Sequence, residues 1–198
     1  MTSKWQTRKL GDICNIIGGG TPSKSNAGFY TGEIPWATVR DMKDQFIIDT
    51  EHKITQEAVK NSSTNVIPKN NVVIASRVGL GKVCFLRNDT AINQDLRAII
   101  PKNNNELDVH YLFWWFKSIA VQIEKAGTGA TVQGIKLPFI KQLEIPLPPI
   151  AEQKRIVTKL DRFFSDTDRL EGIYEQKLID LDELRQSTLK QAFTGKLS

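Results

Sequence analysis

The chain has 198 residues, 40% of them hydrophobic, which suffices for one domain of about 150 residues and a further segment. The two cysteines, Cys14 and Cys84, fit neither a C-x-x-C zinc spacing nor a disulfide scaffold. No run approaches the roughly 18 apolar residues of a membrane-spanning helix, and residues 1–5 lack a signal-peptide core, so we expect a cytoplasmic protein with no membrane partner.

The formal net charge of +5 is unevenly distributed along the chain. Residues 1–149 contain eighteen Lys and Arg against thirteen Asp and Glu, whereas the segment from Ile150 onward contains nine of each. A basic body is typical of a protein that contacts a polyanion, and a neutral segment suits contact with another protein.

The N-terminal part combines an ordered start, residues 5–13, with a glycine-rich run, Gly18–Ser25. This run superficially matches a phosphate-binding loop, but such a loop needs glycine directly before its lysine, and here Ser23 precedes Lys24. Pro22 also removes a backbone donor, so nucleotide binding is not expected. Two interpretations stay open, namely a flexible connection between strands and a loop that contacts a nucleic-acid backbone.

The middle of the chain has the patterns of a mixed α+β domain, with alternating apolar residues and polar connections. We predict strands at residues 32–42, which enter a turn, and at 46–48, 71–76, 83–86 and 96–100. Helices are predicted at residues 55–61 and 107–126, and polar connections at 77–82 and 91–95. A second glycine-rich loop at residues 127–136 precedes two short segments, 137–140 and 143–146.

The C-terminal segment predicts one uninterrupted helix. Pro148 and Pro149 belong just before or in a first helical turn, and Glu152 suits the positive end of the helix dipole. Gly195 suits the left-handed conformation that ends a helix. The roughly 44 residues between these signals would extend about 66 Å.

Apolar residues along this helix recur at alternating spacings of four and three, the heptad pattern of a coiled coil. Thr167 and Lys177 are polar members of the seam, and Leu178 indicates a local stutter. An amphipathic helix packed on its own domain is the alternative, but the stripe is too long for this domain to cover. The predicted dimer-interface residues are Ile156, Leu160, Phe163, Leu170, Tyr174, Leu181 and Leu184.

Catalytic patterns are weak throughout the sequence. His52 and His110 have no metal-ligand spacing. The run Pro146–Ile150 resembles the Asn/Asp-Pro-Pro-aromatic motif of amino-methyltransferases, but it lacks the amide or carboxylate and the aromatic ring that the motif needs. Glu51-His52-Lys53 with Asp41 or Asp44 fits a metal nuclease only through a short pattern that is common by chance. We therefore predict neither catalytic residues nor a metal site.

An ordered set of short motifs resembles the specificity subunits of type I restriction-modification systems. The most specific motif is Ile-Pro-Leu-Pro-Pro-Ile-Ala-Glu-Gln-Lys-Arg-Ile-Val at residues 145–157. The others are Trp5 with Lys9–Ile13, Gly19–Lys24, Gly32–Trp36, Asn93-Gln94, Gly127-Thr128, Leu184–Ser187 and Gln191–Leu197. Together they span nearly the whole chain.

The resemblance implies a non-catalytic subunit that reads double-stranded DNA. In that family a target-recognition domain of mixed α+β structure grips one half of a split sequence. A long helix spaces it from a second recognition domain and docks the modification subunits. Those methyltransferase subunits methylate adenine, and a restriction and translocation subunit joins through them. S-adenosylmethionine and ATP are therefore expected only on partner subunits, and this chain itself needs no cofactor.

The chain departs from the family pattern because it has one recognition domain and one spacer helix instead of two of each. On the resemblance, residues 1–147 form the target-recognition domain and residues 148–198 the spacer and dimerisation helix. Lys and Arg suit guanine edges or phosphate, and Asn and Gln suit adenine. The predicted DNA-binding residues are Thr21, Ser23, Lys24, Arg40, Lys43, Arg77, Lys82, Asn93, Gln94, Thr128, Gln133 and Lys136.

One helix per chain leaves its apolar seam without a partner in the same chain. The simplest cover is the same helix from a second copy, related by a two-fold axis. Antiparallel pairing would place a recognition domain at each end, and two identical readers would read inverted copies of one half-site. We therefore predict a homodimer with a split, palindromic target. The alternative is a coiled-coil adaptor that does not read DNA.

Overall fold

The structure, a computed structural model, describes residues 5–127 and 134–195, and the chain divides into two compact units, Met1–Arg155 and Ile156–Ser198. Within the described residues the first unit is an α+β domain, and the second continues the long C-terminal helix. The strands are β1 Thr7–Lys9, β2 Cys14–Gly18, β3 Ile34–Ala37, β4 Phe46–Ile47, β5 His52–Ile54, β6 Asn65–Ile67, β7 Val72–Ala75, β8 Val83–Leu86, β9 Thr90–Ile92, β10 Leu96–Pro101 and β11 Glu144–Pro146. The helices are α1 Leu10–Ile13, α2 Gln56–Lys60, α3 Val109–Ser118, α4 Ala120–Ala126, α5 Leu137–Gln142 and α6 Ile150–Phe193.

Two sheets share one core in the first unit. The larger sheet has the order β2-β10-β7-β8-β4, and the smaller has the order β5-β3-β9-β6. Every residue of β7 and β8 is buried, which is expected of strands covered on both faces. Val73 and Leu86 of the larger sheet belong to the same apolar cluster as Ala37 and Ile92 of the smaller. The two sheets therefore pack through a single core.

The strands predicted at 71–76, 83–86 and 96–100 are confirmed as β7, β8 and β10. The prediction that residues 91–95 are a polar connection is wrong at its start, because Ala91 and Ile92 are fully buried in β9. That strand pairs in parallel with β3 and antiparallel with β6. Three residues are too few to show a period in the sequence, so these long-range pairings could not be foreseen.

The predicted helix at residues 107–126 is interrupted. Ile119, with φ −105° and ψ 10°, ends α3 and precedes α4. The start of α3 is capped by Asp108, whose Oδ1 accepts hydrogen bonds from the amides of His110 and Tyr111 at 2.9 and 3.1 Å. The predicted buried face is otherwise present, because Leu112, Phe113, Phe116 and Ile123 are all buried.

Gln153 anchors the first turn of α6 within the first unit. Its side chain is fully buried. The amide Nε2 donates to the carbonyl oxygens of Glu106 and Pro148 at 2.8 and 2.9 Å, and Oε1 accepts from the Asp108 amide at 2.8 Å. One side chain therefore satisfies three backbone groups beside the start of α3.

The long C-terminal helix is confirmed. It begins directly after Pro149, contains 44 residues, and is followed by Gly195 with φ +67°. Each described residue from Asp161 to Gly195 is exposed. Across the two described ranges, no helix is both long enough and apolar enough to cross a membrane.

Candidate nucleic-acid interface

An open cavity of about 680 Å³ gathers side chains from distant parts of the first unit. Its size lies within the roughly 300–1,000 Å³ of ligand sites, and its aromatic residues set it apart from its surroundings. We call it the aromatic groove. It is lined by Thr21, Lys24, Ala27, Tyr30, Trp36, Thr38, Val39, Arg40, Glu51, His52, Val78, Asn93, Gln94 and Asp95.

Trp36 of β3 is the fixed aromatic centre of this groove. Its indole Nε1 donates a hydrogen bond to the Gly20 carbonyl at 3.1 Å. The Tyr30 ring meets it edge to face with centroids 6.0 Å apart, and the His52 ring lies 6.3 Å away. Burial raises the pKa of Tyr30, whose neutral hydroxyl donates to the Pro22 carbonyl at 2.8 Å. The aromatic groove is therefore held by hydrogen bonds as well as by packing.

Gly19 and Gly20 permit the close approach that shapes one edge of the aromatic groove. A Cβ at Gly19 would collide with the carbonyl oxygen of Ile92, and one at Gly20 would collide with the Oγ of Ser63. The Gly20 amide donates to the Ile92 carbonyl at 3.0 Å. Because this backbone lies directly against β9, residues 21–24 start from a defined position at the groove.

The turn after β9 presents Gln94 to solvent. Asn93 is only 5% exposed, and its side chain forms two hydrogen bonds with Asp95. Asn93 Nδ2 donates to Asp95 Oδ2 at 3.1 Å, and Asn93 Oδ1 accepts from the backbone amide of Asp95 at 3.0 Å. Gln94 itself is exposed, and its Oε1 accepts a hydrogen bond from the Thr21 hydroxyl. Asn93 therefore shapes the turn, and Gln94 offers its amide at the surface.

Arg40 and Glu51 also line the groove, with Arg40 Nη1 3.8 Å from Glu51 Oε2. Such an exposed pair stabilises by about 0–1 kcal/mol and leaves the guanidinium available to a ligand. Asp41 is engaged in the same loop, because its Oδ2 accepts from the amide and hydroxyl of Thr38 and its Oδ1 from the Glu51 amide. Within residues 5–127 and 134–195, no three His, Cys, Asp or Glu residues are grouped so as to hold a metal ion.

A second cavity, of about 500 Å³, adjoins Gln94. Its distinguishing feature is three cationic side chains, and we call it the basic cleft. It is lined by Gly19, Ser76, Arg77, Gln94, Arg97, Gly134, Ile135, Lys136 and Leu137. The amide of Ile135 donates to the Ser76 carbonyl at 2.9 Å, and Gly134 forms a bridge with Arg77. These backbone contacts hold Lys136 at the end of β7.

The structure brings most of the predicted DNA-binding residues into these two cavities. The aromatic groove contains Thr21, Lys24, Arg40, Asn93 and Gln94, and the basic cleft contains Arg77, Gln94 and Lys136. Ser23, Lys43 and Lys82 are exposed but line neither cavity. Thr128 and Gln133 lie outside the described residues.

Sequence reasoning missed Trp36 and His52 in the groove and Arg97 in the cleft. The sequence places Trp36 in a half-buried strand, and it offers His52 only weak metal-ligand and metal-nuclease patterns. A signal for Arg97 did exist, because a cation in the apolar run Leu96–Ile100 is unusual for a buried strand.

The predicted interface residues of α6 form a surface of the second unit. Ile156 and Leu160 are half-buried. The remaining five are 46–63% exposed: Phe163, Leu170, Tyr174, Leu181 and Leu184. The seam is therefore apolar and open to solvent along most of its length.

Comparison with known proteins identifies the family. The model of the type I restriction modification DNA specificity domain matches residues 2–178. The chain belongs to this family. The specificity domain is 38% identical over 178 residues to the EcoR124I/EcoR124II specificity subunit of Escherichia coli, covering 86% of this chain and 43% of that protein. It is 33% identical over 162 residues to the MjaIX specificity subunit of Methanocaldococcus jannaschii, covering 80% and 38%.

Solved structures share the fold of this specificity domain. A chain from a study of complex assembly and conformational transition of the type I R-M system matches with a TM-score of 0.83 and 24% identity, covering 100% of this chain and 47% of that one. The HsdS subunit from Thermoanaerobacter tengcongensis matches with a TM-score of 0.75 and 24% identity, covering 100% and 46%. This chain therefore spans less than half the length of the relatives named here.

Proposed function

We propose that this specificity domain recognises one half of a bipartite duplex DNA target and directs adenine methylation and restriction by partner subunits. One observation carries the proposal: predicted DNA contacts from distant parts of the sequence, Thr21, Lys24 and Gln94 among them, line a single open groove. Base edges are read by side chains in fixed positions, whereas phosphate contacts set register. The aromatic groove offers both kinds of side chain.

Each edge of the aromatic groove suits a different part of the DNA. The Gln94 amide can form the bidentate pair with adenine, and the Arg40 guanidinium can form the pair with guanine. Lys24, an exposed cation on a loop, suits phosphate. Because Thr21 orients the Gln94 amide and Glu51 lies beside Arg40, both readers are partly preorganised before DNA arrives.

Catalysis belongs, in this proposal, to partner subunits. The relatives are named as specificity subunits of restriction enzymes, and the acid most prominent in the loop, Asp41, is engaged by backbone and hydroxyl donors. The partners are a DNA methyltransferase, which would bind S-adenosylmethionine, and a restriction and translocation subunit that uses ATP and joins through it. Since the proposed ligand is cellular duplex DNA, the expected location is the cytoplasm.

We further propose that a second copy of this chain covers the apolar seam of α6. Exposed Leu170, Leu181 and Leu184 lie on one long helix, and an apolar surface of this extent is typical of an interface. The helix from Ile150 onward is electrically balanced, so two copies can approach without net repulsion. A two-fold dimer would read inverted copies of one half-site.

DNA binding is tested by titrating the purified protein with random-sequence duplex DNA at about 50 and 200 mM salt. We expect affinity to fall steeply with salt, since bound phosphates release counterions. The double variant Lys24→Gln with Arg40→Gln should bind more weakly with a flatter salt dependence. Lys60→Gln with Lys69→Gln is the matched control, because both are exposed cations outside the two cavities and outside the predicted DNA contacts. Absence of any binding by the wild type would favour the coiled-coil adaptor.

The homodimer is tested by light scattering of the free protein at micromolar concentration, where we expect the mass of two chains. Supplying the methyltransferase subunits should give adenine methylation, and methylome sequencing should report two inverted half-sites. A monomer in solution, or a methylated motif with unrelated halves, contradicts the homodimer but leaves DNA reading intact.

A further inference from the structure

Arg97 is a cation built into the larger sheet. It lies in β10 between the fully buried residues Leu96 and Ala98, and its Cα pairs with Gly18 of β2. A Cβ at Gly18 would come within 2.7 Å of Arg97 Nη1. The guanidinium therefore lies over bare glycine backbone, and any larger residue at position 18 would displace it.

The guanidinium of Arg97 is only partly satisfied. Its Nε is buried and has no hydrogen-bond partner among the described residues. Burial lowers the pKa of Arg97, and the nearby charge of Arg77 lowers it further. Because arginine stays protonated in proteins, the group remains a partly buried cation beside a second cation. Leaving such a donor without a partner is costly, and an anion held by the same guanidinium in the cleft would offset part of that cost.

The rest of the basic cleft reinforces this preference for an anion. Arg77 and Lys136 line it together with Arg97, and of the described lining residues none is acidic. Asp95 lies nearby, with its Oδ1 3.9 Å from Arg77 Nη1, but its Oδ2 already accepts from the amide of Asn93. This carboxylate lies beside Arg77, one of the three cations, so the cleft keeps an excess of positive charge.

We propose that Arg97, with Arg77 and Lys136, binds one phosphodiester group of the DNA backbone in the basic cleft. This inference rests on the proposed DNA-reading function and assigns a sequence-independent contact within it. A guanidinium presents parallel N–H donors that match the oxygens of a phosphate. Since Gln94 lines both cavities, a phosphate held here fixes the position of the duplex relative to the side chain that reads bases.

The first experiment compares the salt dependence of random-duplex binding in two matched variants. Arg97→Gln removes the guanidinium from the cleft. Arg87→Gln removes one from the opposite end of the same sheet, where Arg87 lies over the Phe46 ring at 3.6 Å. The salt slope is the slope of the logarithm of the binding constant against the logarithm of the salt concentration, and losing one phosphate contact should lower its magnitude by about 0.9. Between about 50 and 200 mM salt the wild type should therefore lose roughly 3.5-fold more affinity than Arg97→Gln.

Arg97→Gln should also bind about tenfold more weakly at the lower salt, as expected for a charged hydrogen bond. Arg97→Lys should retain the wild-type salt slope while recovering only part of the affinity, because the charge is kept and the paired donors are lost. Arg87→Gln should behave as the wild type. Equal slopes for Arg97→Gln and Arg87→Gln overturn the phosphate site while DNA binding itself stands.

The second experiment uses the unaltered protein, so that it does not depend on the folding of a variant. The Arg97 Nε–H signal in a nitrogen–proton correlation spectrum is assigned through its bonded connection to the Arg97 backbone in triple-resonance spectra of the wild type. Duplex DNA should shift this signal strongly, and inorganic phosphate should shift it weakly and only at millimolar concentration. No shift with DNA, in a sample where other signals show binding, overturns the proposal. A shift of equal size and affinity with inorganic phosphate assigns the cleft to a free anion and also overturns it. If the wild type binds no DNA at all, the proposed function fails first.

Discussion

The two units of this protein treat their apolar side chains in opposite ways. In the first, Phe113 is 1% exposed and stacks on Phe85 with ring centroids 4.6 Å apart. In the second, Phe163 is 63% exposed on α6. Burial of apolar area is the main favourable contribution to folding, so the first unit can be stable through its own core. In the second unit each residue from Asp161 to Gly195 is exposed, so the apolar surface of this stretch is available to a partner.

The largest expected effect comes from changing the same residue type in each unit. Phe113→Ala should lower the free energy of unfolding by about 3–5 kcal/mol, because it removes a buried ring and leaves a cavity. Phe163→Ala should change the unfolding of the first unit by less than about 0.5 kcal/mol, since an exposed ring packs against little. Guanidinium titration followed by tryptophan fluorescence measures both. Similar losses for the two variants would contradict the division into a self-supporting core and an open helix.

The next effect concerns the partner of the open helix. Leu170→Glu with Leu181→Glu should give monomers at concentrations where the proposed homodimer of the wild type forms, because charges would enter the proposed seam. Affinity for target DNA should fall by about 100-fold, as expected when two linked readers become independent. Sedimentation and DNA titration measure the two outcomes. The circular dichroism and melting of the first unit should be unchanged.

Leu189→Glu is the matched control for that double variant. Leu189 is an exposed leucine of α6 outside the predicted seam, so this change should leave the dimer intact. Dissociation by Leu189→Glu alone would indicate a different interface, and a dimer that persists in the double variant would exclude the proposed seam.

A smaller effect is expected where α6 begins. Gln153→Ala should destabilise the first unit by about 1–3 kcal/mol, because the Asp108 amide and the carbonyls of Glu106 and Pro148 lose their partner in a buried position. Gln191→Ala, at an exposed position of the same helix, should cost less than about 0.5 kcal/mol. Chemical unfolding of the two variants measures the difference, and equal stability would show that Gln153 is dispensable to the first unit.

The smallest effect is a pH dependence of the first unit. Burial raises the pKa of Cys84 to about 11 and that of Cys14 to about 12. Both thiols are therefore neutral in the folded protein, but they ionise near pH 8.5 when the chain is unfolded. The free energy of unfolding is therefore highest below about pH 8.5 and falls as the pH rises toward the pKa values of the folded protein. At about pH 8.5 the loss should reach about 0.4 kcal/mol for each thiol. Unfolding at pH 7.0 and 8.5 under reducing conditions should show this loss in the wild type but not in Cys14→Ala with Cys84→Ala.

Local patterns were enough to predict some parts of this fold. The limits of α6 were predictable because prolines and Gly195 mark its ends, and β7 and β8 because they are continuous apolar runs. The break at Ile119 and the strand β9 were not, since tertiary packing and pairing with distant strands decide them. In sequence, a local period carries no information about such contacts.

The candidate site divides in the same way. The chemistry of Lys24, Arg40 and Gln94 suits DNA whatever their surroundings, so the sequence alone predicts them as contacts, and the structure places all three at the aromatic groove. Arg97 and Trp36 were missed, because their positions depend on what lies opposite them across a sheet or a loop. Arg97 requires a bare Gly18, and Trp36 requires the Gly20 carbonyl as an acceptor. Neither requirement could be read from neighbouring residues.

The glycines beside the aromatic groove set rules for redesigning the protein toward new targets. Gly19 and Gly20 cannot take a side chain without pushing the backbone away from β9 and from Ser63. In a combinatorial library that varies these two positions, most variants would therefore have a distorted groove. Thr21, Lys24 and Gln94 line the groove and can be randomised. Positions 21 and 94 should be varied together, because a hydrogen bond links Thr21 to Gln94. Selections should therefore hold the two glycines constant and recover changed specificities as linked pairs at positions 21 and 94.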